Sequence, residues 1–224
     1  MHILLGRKQS WLRLNAFLHL LLLLSVNWPC ISHGQPDNQS NHGSLKDLLP
    51  QSCFIAGQFK QEKHIVDVPT ALTSAGSFIY SCRQGLIWVT DTPIVETLIY
   101  RRDSAHASIS PSNEVQRLKG RLHKELGSIL NNLIGANIDY VEQHFDVTVK
   151  DQQQILTPKN KRLRKFISTI SLSSSDDGIL LHIDGETEST LITIRQTQIF
   201  EMIDAGNCSS LFVAHTQACN VLFN

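Results

Sequence analysis

Residues 72–100 read LTSAGSFIYSCRQGLIWVTDTPIVETLIY, three short strands separated by two tight turns. Leu72, Gly76, Phe78, Tyr80 and Cys82 fall on one face of a strand of period two, and Thr73, Ala75, Ser77, Ile79 and Ser81 on the other. The first face is large and apolar, the second small. Arg83-Gln84-Gly85 supplies a turn with a residue that tolerates positive φ, and Leu86 to Thr90 forms the second strand. Asp91-Thr92-Pro93 then turns into a third strand, Ile94 to Tyr100. An antiparallel meander of this kind must lay its aromatic face against something apolar, either a protein core or a bound hydrophobic ligand.

Working outward, Ser44 caps a short helix carrying Leu45, Leu48 and Leu49, which Pro50 stops. Cys53 to Lys63 is a long first strand with Phe54 and Phe59, and Ala105 to Ile109 a further short one. Pro111-Ser112-Asn113 caps a predicted helix from about Glu114 to Ile134, in which Val115, Leu118, Leu122, Leu126, Ile129, Leu130 and Leu133 recur at helical spacing. From Tyr140 onward strands return: Phe145–Val149, Gln154–Thr157, Phe166–Leu172, Ile179–Ile183 and Thr190–Thr197. The tail from Ile199 to Asn224 is expected to pack as a short helix plus an edge strand tied by a cysteine pair. About ten strands with two or three helices predict an α+β, mainly β fold: a half-open antiparallel β-barrel closed by a helical lid over an apolar interior.

The chain has 224 residues, and its first 34 read as a secretory signal peptide. Arg7, Lys8 and Arg13 precede the leucine-dominated run Ala16–Val26, and Ser32-His33-Gly34 places small residues before a cut. The run is too short for a membrane span and is interrupted by His19. Trp28-Pro29 ahead of Cys30 fits a lipid-attachment site poorly. Residues 35–43 are a polar leader, and 44–224 form a single domain. After cleavage 17 basic and 20 acidic residues remain, a net charge of −3 that carries no nucleic-acid footprint. The basic run Lys159–Lys165 reads either as a solvated strand edge or as a docking patch. Cys53, Cys82, Cys208 and Cys219 allow three disulfide pairings in an oxidising compartment. Cys208–Cys219, closing a short loop, is favoured, with Cys53–Cys82 joining the first two strands or left as buried thiols.

No G-x-S-x-G, H-E-x-x-H, P-loop or G-x-G-x-x-G motif occurs. His182 and Asp184 share a strand face near Ser171–Ser175, which leaves an exported hydrolase as one reading. His106, His123, His144, His182 and His215 are scattered without metal-ligand spacing, so neither a metal nor any cofactor is expected. The apolar interior is what remains: Phe59, Phe78, Leu86, Trp88, Leu98 and the stripe Leu126, Ile129, Leu130 and Leu133 are an ordinary core or the wall of a lipid-binding cavity.

Phe59-Lys60-Gln61, Gly76-Ser77-Phe78, Gly85-Leu86-Ile87-Trp88, Pro93 and Leu98-Ile99 resemble the opening half of the periplasmic outer-membrane lipoprotein carriers, the LolA family. Leu156-Thr157-Pro158-Lys159, Phe166-Ile167 and Asp177-Gly178 continue the resemblance in the same order, so that it spans about residues 44–197. It implies a non-enzymatic, monomeric periplasmic carrier that shields the acyl chains of lipoproteins or a related lipid. The partners it implies are an inner-membrane ABC-type lipoprotein exporter and an outer-membrane receptor. Phe59, Phe78 and Trp88 correspond to the aromatics of the family's concave face, and Leu126, Ile129, Leu130 and Leu133 to its lid. The family's arginine for lid closure and release is displaced: Cys82 stands at its position and Arg83 follows. A one-residue shift turns a side chain to the other sheet face. A non-carrier interaction module of the same fold and a lipid-anchored receptor are the alternatives.

Overall fold

The structure is a computed structural model that describes residues 44–224 apart from 110–113 and 120. The expected signal peptide and leader, and the expected cap at Pro111-Ser112-Asn113, lie outside the described residues. Residues 72–100 form three strands as their alternation dictates: β2 (Leu72–Ser81), β3 (Gly85–Thr92) and β4 (Glu96–Tyr100). Ahead of them lies β1 (Phe54–Ile65), and after them β5 (Ala105–Ile109) and β6 (Gln116–Arg117). The second half supplies β7 (Phe145–Lys150), β8 (Gln153–Pro158), β9 (Thr169–Ser175), β10 (Gly178–Asp184) and β11 (Glu188–Ile199). All eleven join one antiparallel sheet in the order β6-β5-β4-β3-β2-β1-β11-β10-β9-β8-β7.

Two meanders are thus joined by the pairing of β1 with β11, which runs from Ile55 opposite Ile199 to Ile65 opposite Glu188. Gly85 and Gly178 open β3 and β10 at φ of 124° and 131°, a backbone region that side chains resist. Among the described residues the α-helices are α1 (Leu45–Leu48), α2 (Arg121–Ile134), α3 (Ile138–His144), α4 (Ala205–Leu211) and α5 (Thr216–Phe223). Because β6 and β7 are the two edges of the sheet, α2 and α3 carry the chain from one edge to the other. They cross the inner face and close the half-open barrel.

Inner-face residues Ile55, Phe59, Phe78, Leu86, Leu172, Leu181 and Ile194 pack with Ile129, Leu133 and Ile134 of α2 and Val141 of α3. Part of the outer face is buried too. Ala56, Ile79, Ile87, Val89 and Ile99 pack against Ile203, Cys208, Phe212, Ala218, Cys219 and Leu222 of the tail. The favoured disulfide Cys208–Cys219 links α4 to α5, and Cys53 and Cys82, which the sequence left open between a bond and buried thiols, are also bonded and pin the start of β1 to the end of β2. By the loop closed in the unfolded chain, each is worth about 2–4 kcal/mol.

Four expectations are corrected. The predicted helix over 114–134 is shorter, because Gln116 and Arg117 pair with Ala107 and His106 in the sheet and the helix begins at Arg121. Residues 138–144 are helical, capped by the Asn137 side chain accepting from the Tyr140 N–H, where strands were expected to resume. Phe166 lies outside β9, after a 3₁₀ turn at Leu163–Lys165. The tail holds two disulfide-linked α-helices and a 3₁₀ turn, with no edge strand, because the apolar outer face of β1–β4 gives its helices a surface to cover.

Candidate functional site

Between the inner face and α2 lies a cavity of about 400 Å³. The sheet contributes Trp88, Leu98, Tyr100, Ile183 and Ile192, and α2 contributes Leu126, Ile129 and Leu130. Register explains the sheet side: Leu98 stands opposite Trp88, and Ile183 and Ile192 recur on alternate positions of β10 and β11. Gln61, Lys63, Lys165, Phe166, Gly185, Glu186, Thr187 and Glu188 surround the mouth, where Lys63 Nζ meets Glu188 at 2.7 Å.

The residues singled out in the sequence fall into two groups. Trp88, Leu98, Leu126, Ile129 and Leu130 line the cavity. Phe59, Phe78, Leu86 and Leu133 belong to the packed core beside it. Phe59 stacks on Trp88 with ring centroids 3.8 Å apart, and Phe78 lies 5.9 Å from the same indole. These two phenylalanines therefore fix the indole's orientation. Leu133 faces a much smaller void of about 20 Å³ with Leu49, Leu172, Leu181 and Ile194. Tyr100, Ile167, Ile183 and Ile192 were missed, although the period-two runs of β10 and β11 carry the signal for the last two.

The seat of α2 on the sheet is specific. A Cβ at Gly127 would run into the Tyr100 ring, and one at Gly135 into the Tyr80 ring and hydroxyl. Each glycine thus accepts a tyrosine from the sheet. Asn131 Nδ2 donates to the Tyr100 carbonyl at 3.2 Å, and Ser128 Oγ to Tyr140 Oη at 3.2 Å. Burial, followed by the nearby Glu96 carboxylate, pushes the Tyr100 hydroxyl up to about 12, and burial raises that of Tyr80. Both phenols stay neutral in any physiological medium.

Arg83 is exposed on the β2–β3 turn, at the opposite end of the strands from the cavity mouth. It borders a polar cleft of about 410 Å³ with Arg101, Arg102, Ser128, Asn131 and Asn132, so it faces α2 across that cleft. Among the described residues it makes no side-chain hydrogen bond or ion pair with the helix. His182 Nε2 lies 3.4 Å from Asp184 Oδ1, on the outer sheet face and half open to water. Among the described residues no group of three histidine, cysteine or acidic side chains could hold a metal ion, and no helix is long and apolar enough to cross a membrane.

No protein-family model matches the chain, and no curated protein matches it. Among solved structures, a LolA superfamily protein from Nitrosomonas europaea is similar with a TM-score of 0.44 and 9% identity, over 74% of this chain and 94% of that one. A DUF1329 family protein from Desulfovibrio piger is similar with a TM-score of 0.41 and 12% identity, over 71% of this chain and 91% of the other.

Proposed function

We propose that the protein is a periplasmic lipid carrier that holds acyl chains of a lipoprotein or related lipid between its sheet and α2, without catalysis. The observation that carries this reading is the cavity walled by Trp88, Leu98, Ile129, Leu130 and Ile192. Its volume of about 400 Å³ lies within the range of small-molecule sites. A methylene fills roughly the ~30 Å³ share of a water molecule, so roughly a dozen fit, enough for one chain. A cargo with several chains would need α2 to lift from the sheet.

The driving force is transfer of hydrocarbon out of water, about 0.8 kcal/mol per methylene. Packing of α2 onto Tyr80 and Tyr100 opposes it, because the closed cover competes with cargo for the same apolar wall. Such competition limits affinity and allows onward transfer. Two disulfides fit an oxidising compartment such as the periplasm. An inner-membrane ABC-type exporter and an outer-membrane receptor are the partners proposed, and Arg83, facing α2 across its cleft, is proposed to influence release.

Titration of the purified protein with a fluorescent fatty acid tests the reading. The expected result is saturable uptake that Leu130→Asp abolishes while the fold is retained. Equal uptake by the two proteins would remove the cavity from consideration.

A further inference from the structure

The strands give the molecule two distinct ends. The β1–β2, β3–β4 and β10–β11 connections and the segment entering β9 all lie at the end where the cavity opens. Large apolar side chains stand outward on these tips: Val66 is 60% exposed, Ile94 63% and Phe166 54%, with Val68 exposed beside Val66. The tips bearing Val66 and Phe166 are held in place. The Val66 N–H donates to the Thr187 carbonyl at 2.9 Å, which ties the β1–β2 tip to the β10–β11 turn. The Phe166 N–H donates to the Leu163 carbonyl at 2.9 Å, and both Leu163 and Ile167 are anchored in the core, so Phe166 is presented outward from a fixed turn.

The same turn carries the basic run. Lys159 lies 3.9 Å from Asp146 and donates to the Glu142 carbonyl, and Arg164 donates to the Lys159 carbonyl at 3.1 Å. Lys161, Arg162 and Lys165 are exposed, and among the described residues no carboxylate pairs with them. Asp67, Asp184 and Glu186, with Asp91 and Glu96 flanking Ile94, are the acidic groups at the neighbouring tips, Glu188 is taken by Lys63, and none of them stands on the 159–166 segment itself. Positive charge is therefore concentrated on one side of this end, next to Phe166.

We propose that this end is a membrane-docking face for an anionic phospholipid surface. Val66, Val68, Ile94 and Phe166 enter the acyl boundary while Lys161, Arg162 and Lys165 rest on the headgroups. The apolar residues stand on three separate tips, Val66 with Val68 on one and Ile94 and Phe166 on the others, which suits a fluid that closes around each tip; a protein partner would need a continuous complementary surface. Lys165 and Phe166 also border the cavity, so docking sets its mouth against the bilayer and lets a chain slide in without crossing water. That purpose rests on the acyl-cavity reading above; the docking itself is measured separately.

The test is flotation of the protein with vesicles of phosphatidylcholine alone and of phosphatidylcholine mixed with phosphatidylglycerol. All variants share one N-terminus, so any contribution from residues 1–34 cancels. The wild type is expected to float with the mixed vesicles and to be released by salt, since headgroup attraction is screened. The double variant Val66→Asp/Ile94→Asp, and separately Lys161→Glu/Arg162→Glu, should each lower the floating fraction by about tenfold. Met202→Asp/Val213→Asp, on the exposed tail, should float like the wild type. Fatty-acid uptake in vesicle-free solution reports on the fold of each variant and on the cavity. Docking variants that take up fatty acid but no longer float support the proposal. A wild type that floats with neither vesicle, or docking variants that float undiminished, overturns it. A wild type that floats yet takes up no fatty acid would uphold docking and defeat the carrier reading alone.

Discussion

Leu130 and Phe78 both face the sheet interior, yet substitutions at them are expected to act differently. Leu130 is part-exposed at the cavity wall, so Leu130→Asp should leave a folded protein that fails to bind a fatty acid. Phe78 is fully buried between Gly57 and Trp88, and its truncation to alanine should cost about 3–5 kcal/mol, read as a lowered melting temperature. His106 offers a titratable test. Burial, followed by the Arg117 and Arg101 guanidinium groups, holds its imidazole below the ordinary histidine value, and among the described residues its Nδ1 is buried without a hydrogen-bond partner. The fold thus prefers the neutral ring. Above the unfolded value of about 6.5 both states are neutral and nothing is lost; as pH falls below it, the unfolded chain takes the proton first and stability declines. Melting temperatures between about pH 7.5 and 5.5 should fall more for the wild type than for His106→Gln; equal slopes would exclude this ring as a source of the dependence.

At the scale of elements, the cover helix is held by shape. Gly127→Val places a branched side chain where the Tyr100 ring sits, so α2 must shift or tilt. The expected cost is about 1–3 kcal/mol in stability, with faster release of a bound fluorescent fatty acid as the cover loosens. A variant with unchanged melting temperature and release rate would show that α2 seats elsewhere. Gly127 interrupts the leucine stripe of the sequence, where an isolated helix glycine signals close packing. The strands were readable because Gly76, Phe78 and Tyr80 recur at period two and the short apolar run Leu86–Val89 follows the turn glycine Gly85. The α3 helix was not. Ile138, Tyr140 and Val141 favour strands, and only the Asn137 cap and the burial of Val141 against the core decide for helix. The cavity was half legible: the stripe of α2 located its roof, but nothing in the spacing separates Trp88, which borders open space, from Leu86 two residues away, which is sealed.

Across the described residues, the single sheet has two greasy faces, each under its own cover. The run Leu86-Ile87-Trp88-Val89 is apolar at every position, the pattern of a strand buried on both sides. Leu86 and Trp88 go under α2, while Ile87 and Val89 go under the tail. The tail is fastened by the Cys208–Cys219 bond, by Arg101 Nη1 donating to the Val221 carbonyl at 2.9 Å, and by Thr97 Oγ1 meeting His215 Nδ1 at 3.0 Å. A cover fixed at this many points is a permanent wall, whereas α2 borders open space and lies over the cavity. Ending the chain after Ile199 should therefore bare Ile79, Ile87, Val89 and Ile99 together, a contiguous apolar patch that drives association. The expected product is aggregated or strongly dye-binding, while Leu130→Asp, which alters only the other cover, stays monodisperse. Size-exclusion chromatography with light scattering distinguishes the two. A monodisperse truncated chain that still takes up fatty acid would mean the tail is dispensable and the inner face alone sustains the fold.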